Sequence, residues 1–113
     1  MALVEAHPLD ADAHFLHGLV ALEAGEPAAA RDALRQALVA DPAFCIAAFT
    51  LGRAHDALGD QAAARRAYLQ ALRSLDPGDR SHESLPQQVD LADIAAACRA
   101  RLGEGLPEAG SVG

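Results

Sequence analysis

The 113-residue chain carries 9 basic residues, all of them arginine, against 16 acidic ones, for a net charge of -7. That balance argues against a nucleic-acid surface, which needs clustered positive charge to release phosphate counterions. No apolar run reaches the roughly 20 residues that span a bilayer, and no signal-peptide pattern opens the chain. Cys45 and Cys98 form neither a disulfide framework nor a metal-ligand spacing, so a reducing, cytoplasmic compartment is expected.

Ala2 to Ala6 followed by His7-Pro8 reads as the last turn of a helix whose beginning is missing. The chain is therefore expected to open part-way through a repeat and to be a piece of a longer protein. Asp10 or Asp12 is placed to cap the next helix, where a short side-chain oxygen satisfies free first-turn amides. Phe15, Leu16, Leu19, Val20 and Leu22 then make a broad apolar face at helical spacing. Gly25 ends this helix, and Glu26-Pro27 opens a second that runs to about Ala40. Its inward residues are Ala30, Ala33, Leu34, Ala37 and Leu38, and Asp41-Pro42 stops it.

The plan then repeats. A third helix is predicted over Phe44 to Leu58, with Ile46, Phe49 and Leu51 on its apolar side, and Gly59-Asp60 makes the turn. Gln61 to Ser74 forms the fourth, with Ala64, Ala67, Tyr68, Ala71 and Leu72 inward. Register breaks between Asp76 and Gln88, where Pro77-Gly78 marks a turn and the polar run to Pro86 a surface loop. A fifth helix, capped by Asp90 and ended by Gly103, aligns Leu91, Ile94, Ala95, Cys98 and Leu102 on one stripe. Residues 104–113 have the composition of a disordered tail.

Superposing the two halves shows a fixed offset of 34 residues. Gly18 falls on Gly52, Gly25 on Gly59, Ala30 on Ala64, Ala37 on Ala71, Phe15 on Phe49 and Pro8 on Pro42. A constant period of this size marks a repeat architecture. The small residues have a mechanical purpose: they let helices approach closely, so core contacts should be tight and shallow. With Pro following the second helix, the pattern resembles the tetratricopeptide repeat over residues 2 to 77. Gly18 and Gly52, Ala30 and Ala64, Leu34 and Tyr68, Ala37 and Ala71, and Pro42 fill the family's positions. His17 stands where a Leu is usual, and Pro77 comes one residue late.

The resemblance implies an all-α fragment of a solenoid. Its expected parts are a partial repeat at 2–8, repeats at 11–42 and 45–77, and a capping helix at 90–102, all within one domain over 1–103. Asp93, Arg99 and Arg101 would solvate the open end of the array. A narrower resemblance lies in the order of segments. Ala37-Leu38 to Asp41-Pro42, the helix Phe49-Thr50-Leu51-Gly52, the loop Ser81-His82-Glu83-Ser84 and the ending Arg99-Ala100-Arg101-Leu102 follow one another. This order is similar to the C-terminal repeat extension of CheR-type chemoreceptor methyltransferases. A glutamate-methylating domain, with its S-adenosylmethionine loop, would then lie upstream, and none is encoded in these residues.

Chemistry within the chain has plainer explanations. Asp10, Asp12, Asp41, Asp60 and Asp90 all sit at helix starts or stops, where capping accounts for them. His14 and His17 lie three apart on one helix, but no third ligand stands near them in sequence, and His17 is expected partly buried with His14 exposed. His55 reads as a satisfied packing residue and the cysteines as buried apolar thiols. Arg31, Arg35, Arg65 and Arg66 read as a solvated outer face. No catalytic, metal or cofactor residue is expected.

In the family, the first helix of each pair lines a concave groove for peptides. That implies partner-binding roles for Asp12, Phe15, Leu19 and Leu22 in the first copy and for Ile46, Phe49, Arg53 and Asp56 in the second. Apolar residues stand where carboxylate-clamping members present Lys and Asn, so the implied mode is an apolar anchor with Arg53 available to an acidic group. The groove's occupant is a protein or peptide, the parent's own catalytic domain, a second copy forming a homodimer, or the chain's own last helix. A regulatory extension of a methyltransferase and a stand-alone adaptor remain the two alternatives for the whole protein.

Overall fold

The computed structural model describes residues 11–75 and 91–104. Five helices follow in order: α1 (Ala11–Glu23), α2 (Pro27–Ala40), α3 (Cys45–Leu58), α4 (Gln61–Arg73) and α5 (Leu91–Glu104). The described residues contain no strand. Each helix packs on the next, and α1, α3 and α5 also touch in succession. The first helices of the pairs thus line one side, with α5 in the place a third first helix would take. The fold is the all-α, tetratricopeptide-type helical repeat expected. The partial repeat at 2–8, the loop, Asp90 and the tail beyond Glu104 lie outside the described residues.

The turns inside the two pairs are built alike. Gly25 and Gly59 adopt φ of 82° and 81°, a left-handed conformation that suits glycine. In the first turn the Gly25 amide donates to Leu22 and the Glu26 amide to Ala21, at 3.1 and 2.9 Å. In the second, the Gly59 amide donates to Asp56 and the Asp60 amide to His55, both at 3.0 Å. These paired bonds satisfy carbonyls that a helix end leaves open. Asp60 then caps α4, its Oδ1 accepting from the Ala63 amide at 3.1 Å.

Between the pairs, Asp41 stops α2 by a different device. Its Oδ1 accepts from the Ala43 amide at 3.1 Å and its carbonyl from the Phe44 amide at 3.1 Å, closing a turn with Pro42 inside it. The turn aims Phe44 inward, where it is 1% exposed and lies 5.2 Å, centroid to centroid, from the fully buried Phe15. Phe44 is therefore core, standing just before α3 rather than inside it. One apolar cluster gathers around this pair with Ala30, Leu34, Ala37, Ala47 and Leu51. A second joins Cys45, Ala48, Ala64, Tyr68 and Ala71 to Ile94 and Cys98 of α5.

Other details depart from expectation. Val20 is 65% exposed, so the apolar face of α1 is narrower than its composition suggests. His17 is exposed and His14 half-buried, the reverse of the expected order. Helix α5 continues through Gly103 to Glu104. Both cysteines are free and buried, and the Cys45 thiol donates to the Ala71 carbonyl at 3.3 Å. Burial, with the nearby Cys98, pushes the Cys45 thiol up to about 11. His55 is buried, but its Nδ1 has no hydrogen-bond partner, so it is packed without being satisfied. Burial holds its imidazole below the ordinary range; Arg35, Arg31 and Arg66 act the same way and Asp60 opposes them.

Two measurements check this account. A Cβ on Gly52 would come within 2.5 Å of the Tyr68 ring, whereas one on Gly103 would meet nothing within 4 Å. Gly52→Ala should cost about 1–3 kcal/mol in urea unfolding despite its better helix propensity, and Gly103→Ala should be neutral or mildly stabilising. For His55, the unfolded chain takes up a proton near pH ~6.5 while the fold resists it, so stability falls as pH drops below that value. The urea midpoint should decline from about pH 7.5 to about 5.5, and His55→Ala, which restores the residue found at position 21, should flatten that slope.

Candidate functional site

The second pair differs from the first at positions that face α5. Where α2 places Leu34 under Gly18, α4 places Tyr68 under Gly52. Tyr68 is 2% exposed, its ring 5.9 Å from that of Phe49. A buried phenol needs an acceptor, and Asp56, one turn beyond Gly52 on α3, supplies it: the Tyr68 hydroxyl donates to Asp56 Oδ2 at 2.7 Å. Burial and this bond hold the phenol protonated well above its ordinary range. Arg101 of α5 donates to the same Oδ2 at 2.7 Å.

These groups line an open cleft of about 520 Å³ between α3 and α5, bounded by Phe49, Arg53, Asp56 and Tyr68 on one side and Ala97, Ala100 and Arg101 on the other. Phe49 is half-buried and Arg53 exposed. Among the described residues no hydrogen bond or ion pair holds the Arg53 guanidinium. The cleft thus offers an aromatic and alanine floor, one carboxylate already shared by two donors, and a free cation on its rim.

Three of the eight residues assigned to the groove, Phe49, Arg53 and Asp56, meet in this cleft. Phe15 does not belong to any open surface: Phe44 covers it and it is 0% exposed, so its assignment as a contact residue is corrected to core. Leu19 and Leu22 are half-buried against the first cluster, and Ile46 packs against both clusters. Asp12 is half-buried in the first turn of α1. Arg101, assigned to solvation of the array's end, instead bridges back to Asp56. Tyr68, Ala97, Ala100 and Arg101 were not foreseen at the site. The 97/100/101 spacing on one face of α5, together with a phenol replacing a leucine, is the sequence signal that marks them. Elsewhere, the described residues hold no group of three or more His, Cys, Asp or Glu side chains placed for a metal.

The Asp56 contact is partly open to solvent, with the side chains of Arg101 and Asp56 45% and 23% exposed. Screening keeps such a pair weak, so a double-mutant cycle of Asp56→Asn and Arg101→Ala should return a coupling of about 0.2–1 kcal/mol. Tyr68→Phe should cost about 0.5–1.5 kcal/mol through the lost hydrogen bond, whichever residue stands at 101.

Comparison with known families returns matches to a model described as a tetratricopeptide repeat, over residues 2–43 and 15–80. None of the curated proteins matches the chain. No helix among the described residues is long and apolar enough to cross a membrane. The second match alone spans more than half of the 113 residues, in agreement with the paired helices and left-handed glycine turns described above, and the chain belongs to the tetratricopeptide repeat family.

Proposed function

We propose that this chain is a protein-docking module that receives an apolar side chain of a partner in the cleft between α3 and α5. Tetratricopeptide repeats generally bind protein partners and carry no catalysis of their own. The observation that carries the present reading is the half-buried Phe49 lying over Tyr68, with alanines opposite and polar groups confined to the rim. An apolar centre with a polar edge is the arrangement that concentrates binding energy in a few anchors. The small side chains of Ala97 and Ala100 leave room for such an anchor.

A finer reading concerns the parent protein. The order of repeat block, Pro/Glu/Ser loop and Arg-x-x-Leu helix supports a regulatory C-terminal segment of a CheR-type methyltransferase in bacterial chemotaxis. There the module would dock a receptor segment or the parent's own catalytic domain, and tune which glutamates are reached. A methyltransferase domain encoded immediately upstream of residue 1 supports that context; further repeats there replace it with a stand-alone adaptor.

The docking reading is tested by panning a random peptide library on the full chain and mapping a recovered peptide by amide shift perturbation. Shifts should concentrate at Phe49, Arg53, Ala97 and Ala100. Ala100→Gln, which places a neutral side chain in the cleft at an exposed position, should weaken binding about tenfold, equivalent to about 1.4 kcal/mol. Shifts confined to Arg35, Arg65 and Arg66 on α2 and α4, with affinity unchanged in Ala100→Gln, would sink it.

A further inference from the structure

Packing alone does not explain His55. It is 5% exposed, and its Nδ1 is buried without a hydrogen-bond partner. An orphaned polar atom of this kind is costly and calls for a reason. The repeat supplies none, since Ala21 fills the matched position of the first pair and is just as buried. His55 follows Ala54, which shares one buried cluster with Ala37 of α2 and Ala67 of α4, so both second helices close over this part of α3. On α2, Arg31 and Arg35 stand one turn apart on the same face. On α4, Arg66 stands one turn before Gln70, whose amide donates to the Pro42 carbonyl at 3.3 Å and turns this face toward the end of α2. All three guanidiniums act on the imidazole, as does the Asp60 carboxylate in the opposite sense. Asp32 pairs with Arg31 at 3.0 Å, and Asp60 is engaged by the Ala63 amide at 3.1 Å. Arg35 and Arg66 are exposed, and among the described residues no hydrogen bond or ion pair holds either. The repeat does not dictate them: Leu69 and Asp32 stand at the positions matching Arg35 and Arg66.

We propose that the seam between α2 and α4 binds a phosphate group, with Arg35 and Arg66 reaching it from either side, Arg31 beside them and His55 beneath. Guanidiniums on two separate helices need an anion whose oxygens point in more than two directions. A carboxylate has two coplanar oxygens, which suit a single fork. A tetrahedral phosphate serves both arginines and keeps an oxygen for the imidazole. Its charge also reverses the local balance. The arginines oppose the imidazolium, whereas a bound dianion favours it and gives His55 a second N–H to donate. A nucleic-acid strand fits poorly, since it needs a row of cations, while Asp32 and Asp60 flank the seam and the chain carries a net charge of -7. None of these residues lines the cleft between α3 and α5, so the two sites are tested separately.

Histidine side-chain NMR on the full chain tests the proposal, with inorganic phosphate as the probe against chloride at matched ionic strength. Phosphate should shift the His55 resonances saturably, move its titration up toward the ordinary imidazole range, and leave His14 and His17 of α1 unmoved. Arg35→Gln and Arg66→Gln should each weaken phosphate about tenfold, with circular dichroism confirming that both fold. Ala100→Gln, in the cleft, should bind phosphate like the wild type. Sulfate, whose own charge stays constant over this range, should bind more tightly as pH falls, and His55→Ala should abolish that dependence. A phosphoserine peptide provides the second arm: tighter binding than inorganic phosphate assigns the group to a phosphorylated protein, and weaker binding to the free ion. An unsaturable shift, or equal affinity in wild type and both arginine variants, means an adventitious ion only and overturns the site. Saturable binding that leaves His55 unmoved overturns it too. So does an oligonucleotide that binds more tightly than either probe and is lost in the same variants, which would put a nucleic-acid backbone in the seam.

Discussion

The ring of Tyr68 lies against the backbone of α3 at Gly52, closer than any Cβ there would allow, and both the scaffold and the cleft depend on that contact. Because the ring occupies the space a side chain would fill, α3 and α4 cross at short range and their alanines come into register. Ala48, Ala64 and Ala71 are all buried in the cluster built around it. The ring's outer end is carried toward α5, which fixes where the hydroxyl emerges and hence where Asp56 must stand. In the first pair the same close approach is made by Gly18 and Leu34, and there it ends in hydrocarbon.

Comparison of the two pairs shows three replacements that act together. Leu34 becomes Tyr68, Leu22 becomes Asp56 and Leu19 becomes Arg53 at matched positions. In the first pair these leucines pack against the apolar cluster shared with α3. In the second pair the neighbour is α5, which presents Ala97, Ala100 and Arg101 instead of large apolar groups. Polar residues would be costly inside the first interface, since buried donors and acceptors need partners. Facing an open cleft, the Tyr68 hydroxyl and the Asp56 carboxylate pair with each other, and Arg53 stays exposed to solvent.

How far this could be read from the sequence follows from the range over which each feature acts. The helices, the glycine turns and the tight Gly-aromatic and Gly-leucine contacts are local or repeat at fixed spacing, so the 34-residue offset exposes them. The fates of Phe15 and Phe49 are not local. They occupy matched positions, yet Phe15 is sealed because the linker delivers Phe44 onto it, whereas the residue at the matched offset from Phe44 is Gly78. Which face of α5 meets the repeats was equally hidden. The register breaks before that helix, and its alanine-rich sequence offers several faces of similar polarity. Arg101 therefore read as a solvating residue until the packing of Ile94 and Cys98 set the helix's rotation.

That rotation also links binding to the integrity of the array. Helix α5 is held on the repeats by a short apolar contact through Ile94, Ala95 and Cys98 and by the partly exposed bridge from Arg101 to Asp56. One wall of the cleft is α5 itself, so a ligand seated there touches both the cap and the second pair. Any ligand that binds the assembled wall and not the detached helix stabilises docking of α5 by mass action. Conversely, a state in which α5 lifts away exposes Ile94 and Cys98 and removes one side of the site together. Cap and cleft thus form one cooperative unit, and the affinity of the cleft includes the free energy that keeps α5 in place.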